Sequence, residues 1–163
     1  NKSTFRRDKT GTRAWITGDL NNLYIAIKCP EPDMSKIVAN KKGRDVNIWW
    51  EDNVEIFIDA NLDHKTYFQF AVNPNNAVYD GNKQRKKKFN ANIISAVRKN
   101  ADNWVWEMAI PWKDLNVKNP PAKKLGILFC RNRPGREKIT QAPVTGSDNH
   151  HVPQLFSDIR LSQ

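Results

Sequence analysis

The sequence predicts an all-β fold, an antiparallel β-sandwich of the jelly-roll or immunoglobulin-like kind with about eight or nine strands. Three observations predict it. Apolar residues alternate over short segments, as where Val54, Ile56 and Ile58 interleave with Glu55, Phe57 and Asp59, the period of a strand that packs one face. Turn-forming clusters such as Gly18-Asp19-Leu20-Asn21-Asn22 and Asn73-Pro74-Asn75-Asn76 separate these segments, since asparagine and glycine tolerate turn backbone and proline presets it. No stretch carries convincing helical periodicity, so the alternating segments are left to pair as sheets.

In chain order, residues 14–17 read as a first short strand and 23–28 as a second, with Leu23, Ile25 and Ile27 on one face. Pro30-Glu31-Pro32 ends that pairing because proline has no amide donor. Residues 33–47 lack periodicity and read as a long loop, with a helical turn around residues 34–38. The strand around Val54 follows, then a polar turn, and residues 66–72 return with Phe68, Phe70 and Val72 together. Residues 77–80 pair back, 93–99 form another strand, and in 104–110 Trp104, Trp106, Met108 and Ile110 share one face. Prolines at 111 and 120–121 bound the next segment, 125–131 is apolar again, and 156–161 closes the chain after a loop-like stretch through Pro153.

A chain of 163 residues is about one domain, expected to span 1–163, and it can bury a core without disulfides or metal. Cys29 and Cys130 each end an apolar run, where a buried thiol and a bridge are equally compatible with the pattern. No apolar run approaches the roughly 20 residues a membrane helix needs, so no membrane partner is expected. The start, Asn1-Lys2-Ser3, suggests one module cut from a larger protein. Net charge is +10, and half of it sits in Lys83-Gln84-Arg85-Lys86-Lys87-Lys88. Such a run attracts polyanions, yet without interleaved aromatics it points away from nucleic acid and towards a solvated loop or an anionic glycan.

The centre of the chain is Ile48-Trp49-Trp50-Glu51-Asp52-Asn53, where two indoles meet a polar turn. That combination suits a sugar, whose C–H faces stack on an indole while its hydroxyls need hydrogen-bond partners. If the segment is extended, Trp50 faces the site and Trp49 the core. Trp15, Trp104, Trp106 and Trp112 fit alternations or strand ends and read as core. An enzyme reading meets a distance problem. Glu55 and Asp59 lie on the order of 13 Å apart along one strand, whereas glycoside hydrolysis wants roughly 5 to 9.5 Å; Glu55 with Asp52 or Glu107 stays open as a cross-strand pair. His150-His151 in an extended segment point apart and lack a third ligand. A haem-binding or redox-associated sandwich is a further alternative, with Met108 the only strand methionine, in a core-like pattern.

Five motifs in order carry a resemblance. They are Asn22-Leu23-Tyr24-Ile25-Ala26, Trp50-Glu51-Asp52-Asn53-Val54-Glu55-Ile56-Phe57-Ile58-Asp59, Phe68-Gln69-Phe70-Ala71-Val72-Asn73-Pro74, Trp106-Glu107-Met108-Ala109-Ile110-Pro111-Trp112 and His151-Val152-Pro153-Gln154-Leu155-Phe156. Together, from about residue 12 onward, they resemble the family 9 carbohydrate-binding modules. The resemblance implies a non-catalytic, monomeric, secreted module without organic cofactor, often attached to a glycoside hydrolase, that binds plant or microbial polysaccharide or oligosaccharide. It places the first sugar-stacking tryptophan at Trp50, an acceptor carboxylate at Glu55, and the second aromatic wall at His150 with its neighbour Asn149. Ala71 stands where the family carries an arginine, leaving Gln69 and Asn73 as polar candidates on that strand. The family's tendency to bind calcium points to Asp59, Asn61 and Asp63 as oxygen ligands.

Overall fold

In the computed structural model, which describes residues 11–83, 89–147 and 149–161, the alternating segments pair into two antiparallel sheets. Ten strands form: β1 (Arg13–Gly18), β2 (Asn22–Pro30), β3 (Asn53–Asp59), β4 (Phe68–Val72), β5 (Val78–Asn82), β6 (Ile94–Lys99), β7 (Asn103–Pro111), β8 (Lys124–Arg133), β9 (Glu137–Ala142) and β10 (Ser157–Arg160). The first sheet runs β1-β2-β7-β6. The second runs β10-β8-β3-β4-β5, and β9 joins β10 along the same edge of β8. The only helical pieces among the described residues are 3-10 turns, one of them at Met34–Lys36 inside the expected loop.

The core lies between the sheets, as the alternation requires. Leu23, Ile25 and Ile27 of β2 and Trp104, Trp106, Met108 and Ile110 of β7 meet Val54, Ile56 and Ile58 of β3 and Phe68, Phe70 and Val72 of β4. Met108 is therefore a core residue, buried beside Trp106. Cys29 and Cys130 are both buried thiols outside any disulfide, and they belong to different apolar clusters. Burial and the neighbouring Glu55 carboxyl push the Cys130 thiol well up, so it sits as an inert apolar group.

Two expectations are corrected by the fold. Residues 137–142, read as loop, form the edge strand β9, whose only large apolar residue is Ile139; a polar edge strand leaves no alternation to read. Trp15, read as core, stands 53% exposed. It pairs with Ala26, while its neighbour Ile16 is the residue that packs on the core, so the parity of β1 sends the indole outward.

The 33–47 loop is a strap held at both ends. The Val38 amide donates to Asp52 Oδ2 (2.8 Å), and the Asn40 and Lys41 amides donate to Glu51 Oε1 (3.0 and 3.1 Å). Further along, Val78 donates to the Gly43 carbonyl (2.9 Å) and Arg44 pairs with the buried Asp80 at 2.6 Å.

Candidate functional site

β3 lies between β4 and β8, and the register of this trio builds the site. Glu55 faces Ala71 on one side and Cys130 on the other; Ala71 in turn faces Tyr79, and Cys130 faces Gln141. Directly opposed residues share a face, so Gln141, Cys130, Glu55, Ala71 and Tyr79 form one row across the outer surface of the second sheet. The adjoining row is Leu128, Phe57, Gln69 and Gly81. Small side chains therefore flank the carboxylate on both sides.

Gln69 donates its carboxamide N–H to Glu55 Oε2 at 2.7 Å. Burial pushes the Glu55 carboxyl up to about 7, against the pull of that hydrogen bond. Removing a carboxylate from water disfavours its charge. Near neutral pH the group is divided between an acceptor-only carboxylate and a carboxylic acid that can also donate.

Aromatic rings flank these rows on two sides. At one end Trp49 meets Tyr79 edge-on, with centroids 4.9 Å apart and planes at 72°. The Tyr79 phenol lies across Gly81: a Cβ at 81 would come within 2.8 Å of the hydroxyl oxygen. Within the second row Phe57, next to Gln69, receives both histidines, His150 at 6.2 Å and His151 at 5.3 Å, with Phe156 behind. The Tyr67 hydroxyl and His151 Nδ1 share a hydrogen bond of 2.6 Å. Burial and Lys83 hold the His151 imidazole below its usual range, which keeps the ring neutral at pH 7.

The structure redistributes the residues expected at the site. Trp49 and Trp50 do not lie on an extended segment: the Glu51 amide donates to the Ile48 carbonyl at 3.0 Å, closing a turn in which strand parity has no force. Trp50 is 82% exposed, while Trp49 is half-buried against the outer-face cluster of Ile48, Ala71, Ala77 and Tyr79 rather than in the main core. The polar turn is internal. Glu51, Asp52 and Asn53 are all buried; the first two hold the strap, and Asn53 donates to the Ile48 and Glu51 carbonyls at 3.0 Å each. Asn73 is also withdrawn from solvent. Its amide nitrogen donates to the Lys41 carbonyl and Glu51 Oε2, and its oxygen accepts from the Asn75 and Ala77 amides. Glu55, Gln69 and His150 do come to one surface, and Asn149 lies exposed beside it, accepting from the His151 amide at 3.0 Å. His150 and His151 do not point apart, since both reach Phe57. Tyr79, Tyr67 and Phe57 were missed as site residues; the alternation that selected Glu55 also puts Phe57 on its face.

Over residues 2–162 the sequence matches the family described as carbohydrate family 9 binding domain-like. The chain belongs to the family 9 carbohydrate-binding modules. The module is accordingly a non-catalytic, carbohydrate-binding sandwich. It is 28% identical over 165 residues to endo-1,4-β-xylanase A of Thermotoga maritima, covering 94% of the module but only 14% of that relative's length. Two solved structures share its fold: a family 9 module of Caldicellulosiruptor kristjanssonii in complex with glucose, and one from the same organism in complex with cellotriose. The first has TM-score 0.70 and 18% identity, covering 96% of this chain and 79% of that one. The second has TM-score 0.67 and 20% identity, covering 94% and 76%.

The carboxylates weighed as catalytic partners of Glu55 are dispersed in the module. Glu107 faces outward from the opposite sheet, in register with Ala26 and Ala96, beyond the roughly 10 Å thickness of the core. Asp52 lies buried against Arg136. Asp59, Asn61 and Asp63, the calcium candidates, serve their own turn. Asp59 accepts from the Asn61 and His64 amides, and Asn61 donates its side-chain N–H to Asp63 at 3.1 Å. Burial works against Asp63, yet the hydrogen bonds from Lys65, Thr66 and Asn61 together outweigh it and hold its carboxyl at about 2. Among the described residues no group of three His, Cys, Asp or Glu side chains is placed to hold a metal. Of the basic run, only Lys83 falls within the described residues; Arg85, Lys86, Lys87 and Lys88 lie outside them.

Proposed function

We propose that the outer face of the second sheet binds the sugar, with Trp49 as the stacking platform, His150 as the opposing wall and Glu55 as the hydroxyl acceptor. One observation carries this reading: the cross-strand row that seats Glu55 between small residues and ends at the Trp49–Tyr79 pair. An indole braced edge-on by a phenol keeps its free face available for sugar C–H groups. Glu55, oriented by Gln69, accepts from hydroxyls that the ring presents. Trp50 and Asn149 serve as rim contacts. The missing arginine at Ala71 leaves the row uncharged beside Glu55, which suits a neutral ligand.

The ligand class is a β-1,4-linked glucan or xylan or its oligosaccharides. The cellotriose complex of one relative and the xylanase activity named for another support that choice. Attachment to a secreted polysaccharide-degrading enzyme, as a monomeric module, belongs to the same proposal. Calorimetric titration with cellotriose and xylotriose tests it. Trp49→Ala is expected to weaken binding by about 1 to 3 kcal/mol, as losing a stacking anchor does, and Trp50→Ala by less. Full affinity in a folded Trp49→Ala protein, with loss in Trp50→Ala, would return the platform to Trp50.

A further inference from the structure

The outer face of the first sheet carries a groove of about 560 Å³ that sugar binding on the second sheet leaves unused. Register builds it from three rows. The middle row is Trp15, Ala26, Glu107 and Ala96; one neighbour is Thr17, Tyr24, Ala109 and Ile94; the other is Arg13, Lys28, Val105 and Arg98. Alanines at 26, 96 and 109 make a shallow floor. Trp15 and Tyr24 stand on one side of it, and Ile94, 75% exposed, on the other. The Tyr24 ring is held in place, since its hydroxyl donates to Asp19 Oδ2 at 2.8 Å and accepts from Asn22 at 3.3 Å. A solvated sheet face ordinarily presents polar side chains; an exposed indole over a floor of alanines is the signature of a contact surface.

The charges say what would touch it. Arg13 lies two residues along β1 from Trp15, or about 7 Å, Lys28 stands beside it on the neighbouring strand, and Arg98 ends the same cross-strand row on the far strand β6. A pyranose stacked on Trp15 would thus have any exocyclic carboxylate within reach of long cationic side chains, while Glu107 accepts from its hydroxyls. We propose that this face is a second glycan site, specific for a polysaccharide bearing uronic-acid carboxylates. A second copy of the chain is a poor occupant, because face-to-face pairing would bring the cationic rows of two molecules of net charge +10 together.

The test uses the whole chain carrying Trp49→Ala, so that the proposed neutral-sugar site is weakened and the two sites are read apart. The probes are a xylo-oligosaccharide with one glucuronic acid branch and the unbranched oligosaccharide of equal length. The branched probe is expected to bind this protein more tightly than the unbranched one. Adding Trp15→Ala should weaken it about tenfold, the scale of an aromatic anchor. Adding Arg13→Ala with Lys28→Ala should erase the preference for the branch, and raising the salt should do the same by screening. Equal affinity for both probes would overturn the proposal, as would binding untouched by Trp15→Ala in a protein with unchanged circular dichroism. Sedimentation showing a dimer that Trp15→Ala dissolves would assign the face to self-association instead. Neutral-sugar binding that survives Trp49→Ala counts against the first site alone.

Discussion

On β3 the outward residues Asn53, Glu55, Phe57 and Asp59 are all buried, whereas on β6 and β7 the outward residues Ile94, Ala96, Arg98 and Glu107 stand in solvent. Both sets come from the same alternation. What separates them is coverage: the aromatic turn, the strap behind it and the segment of His150 and His151 fold over the second sheet, and no described loop does this for the first. Coverage changes chemistry as well as exposure. It raises the Glu55 carboxyl to about 7, and it makes the supporting polar groups expensive to disturb. A covered face holds its polar groups in fixed positions, whereas an open face offers its side chains to solvent and to long-range charge.

The largest expected effect tests how far that coverage depends on buried charge. Arg136 donates to Glu31 Oε2 at 2.7 Å and to Asp52, and Arg133 adds a second contact to Glu31 at 2.8 Å. Burial works against Glu31, but the two guanidinium groups hold its carboxyl below the usual range. Arg136→Leu strands Asp52 without its cation and is expected to cost on the order of 3 kcal/mol in urea denaturation. On the open face, Arg98→Ala should stay within about 0.5 kcal/mol. Equal effects from the two would remove the distinction.

Comparable in size is the pH dependence set by Glu55. Its folded value near 7 lies above the ordinary 4.5, so the folded chain keeps a proton that the unfolded chain releases. Stability is then fully present below about 4.5, falls as pH rises towards 7 and levels off above it. The contribution is on the order of 3 kcal/mol across that window. Glu55→Gln should remove this slope, which is read as the difference between the two proteins' urea curves from pH 4 to 8. Sugar binding should run the other way: hydroxyl donors favour the ionised acceptor, so the wild-type affinity for cellotriose should rise as pH passes 7. An identical slope in both proteins would mean that Glu55 is wetter than its surroundings indicate.

The smallest expected effect concerns the Asp59–Asp63 turn. Because its amides already engage the carboxylates, a calcium chelator is expected to leave the thermal midpoint unchanged. A drop that added calcium restores would give those oxygens a metal to hold, and would add an ion to the supports of the covered face.

The sheets and their inner faces were legible because alternation is local: Val54, Ile56 and Ile58 point inward whatever lies elsewhere, and Glu55 is marked by the same parity. Glu51 and Asp52 were misread because their partners are remote. Asn40 and Lys41 lie ten or more residues away and Arg136 lies 84 away, so a buried staple looks in sequence like a solvated turn. Trp49, expected in the core, stands half-buried in the outer-face cluster for a related reason. One hydrogen bond, from Glu51 to Ile48, turns the backbone that parity assumed straight. Trp15 shows the remaining gap, for parity gives the direction of a side chain and says nothing of what covers it.

Gly81 binds two positions into one inherited unit. The phenol of Tyr79 occupies the space that any side chain at 81 would need, and that phenol braces Trp49. An alanine at 81 would push the Tyr79 phenol aside, and the indole would then lose its buttress. Positions 79 and 81 should therefore change together among descendants of this module. Exchanging them as a pair is a way to re-cut its binding surface while leaving the sandwich core untouched.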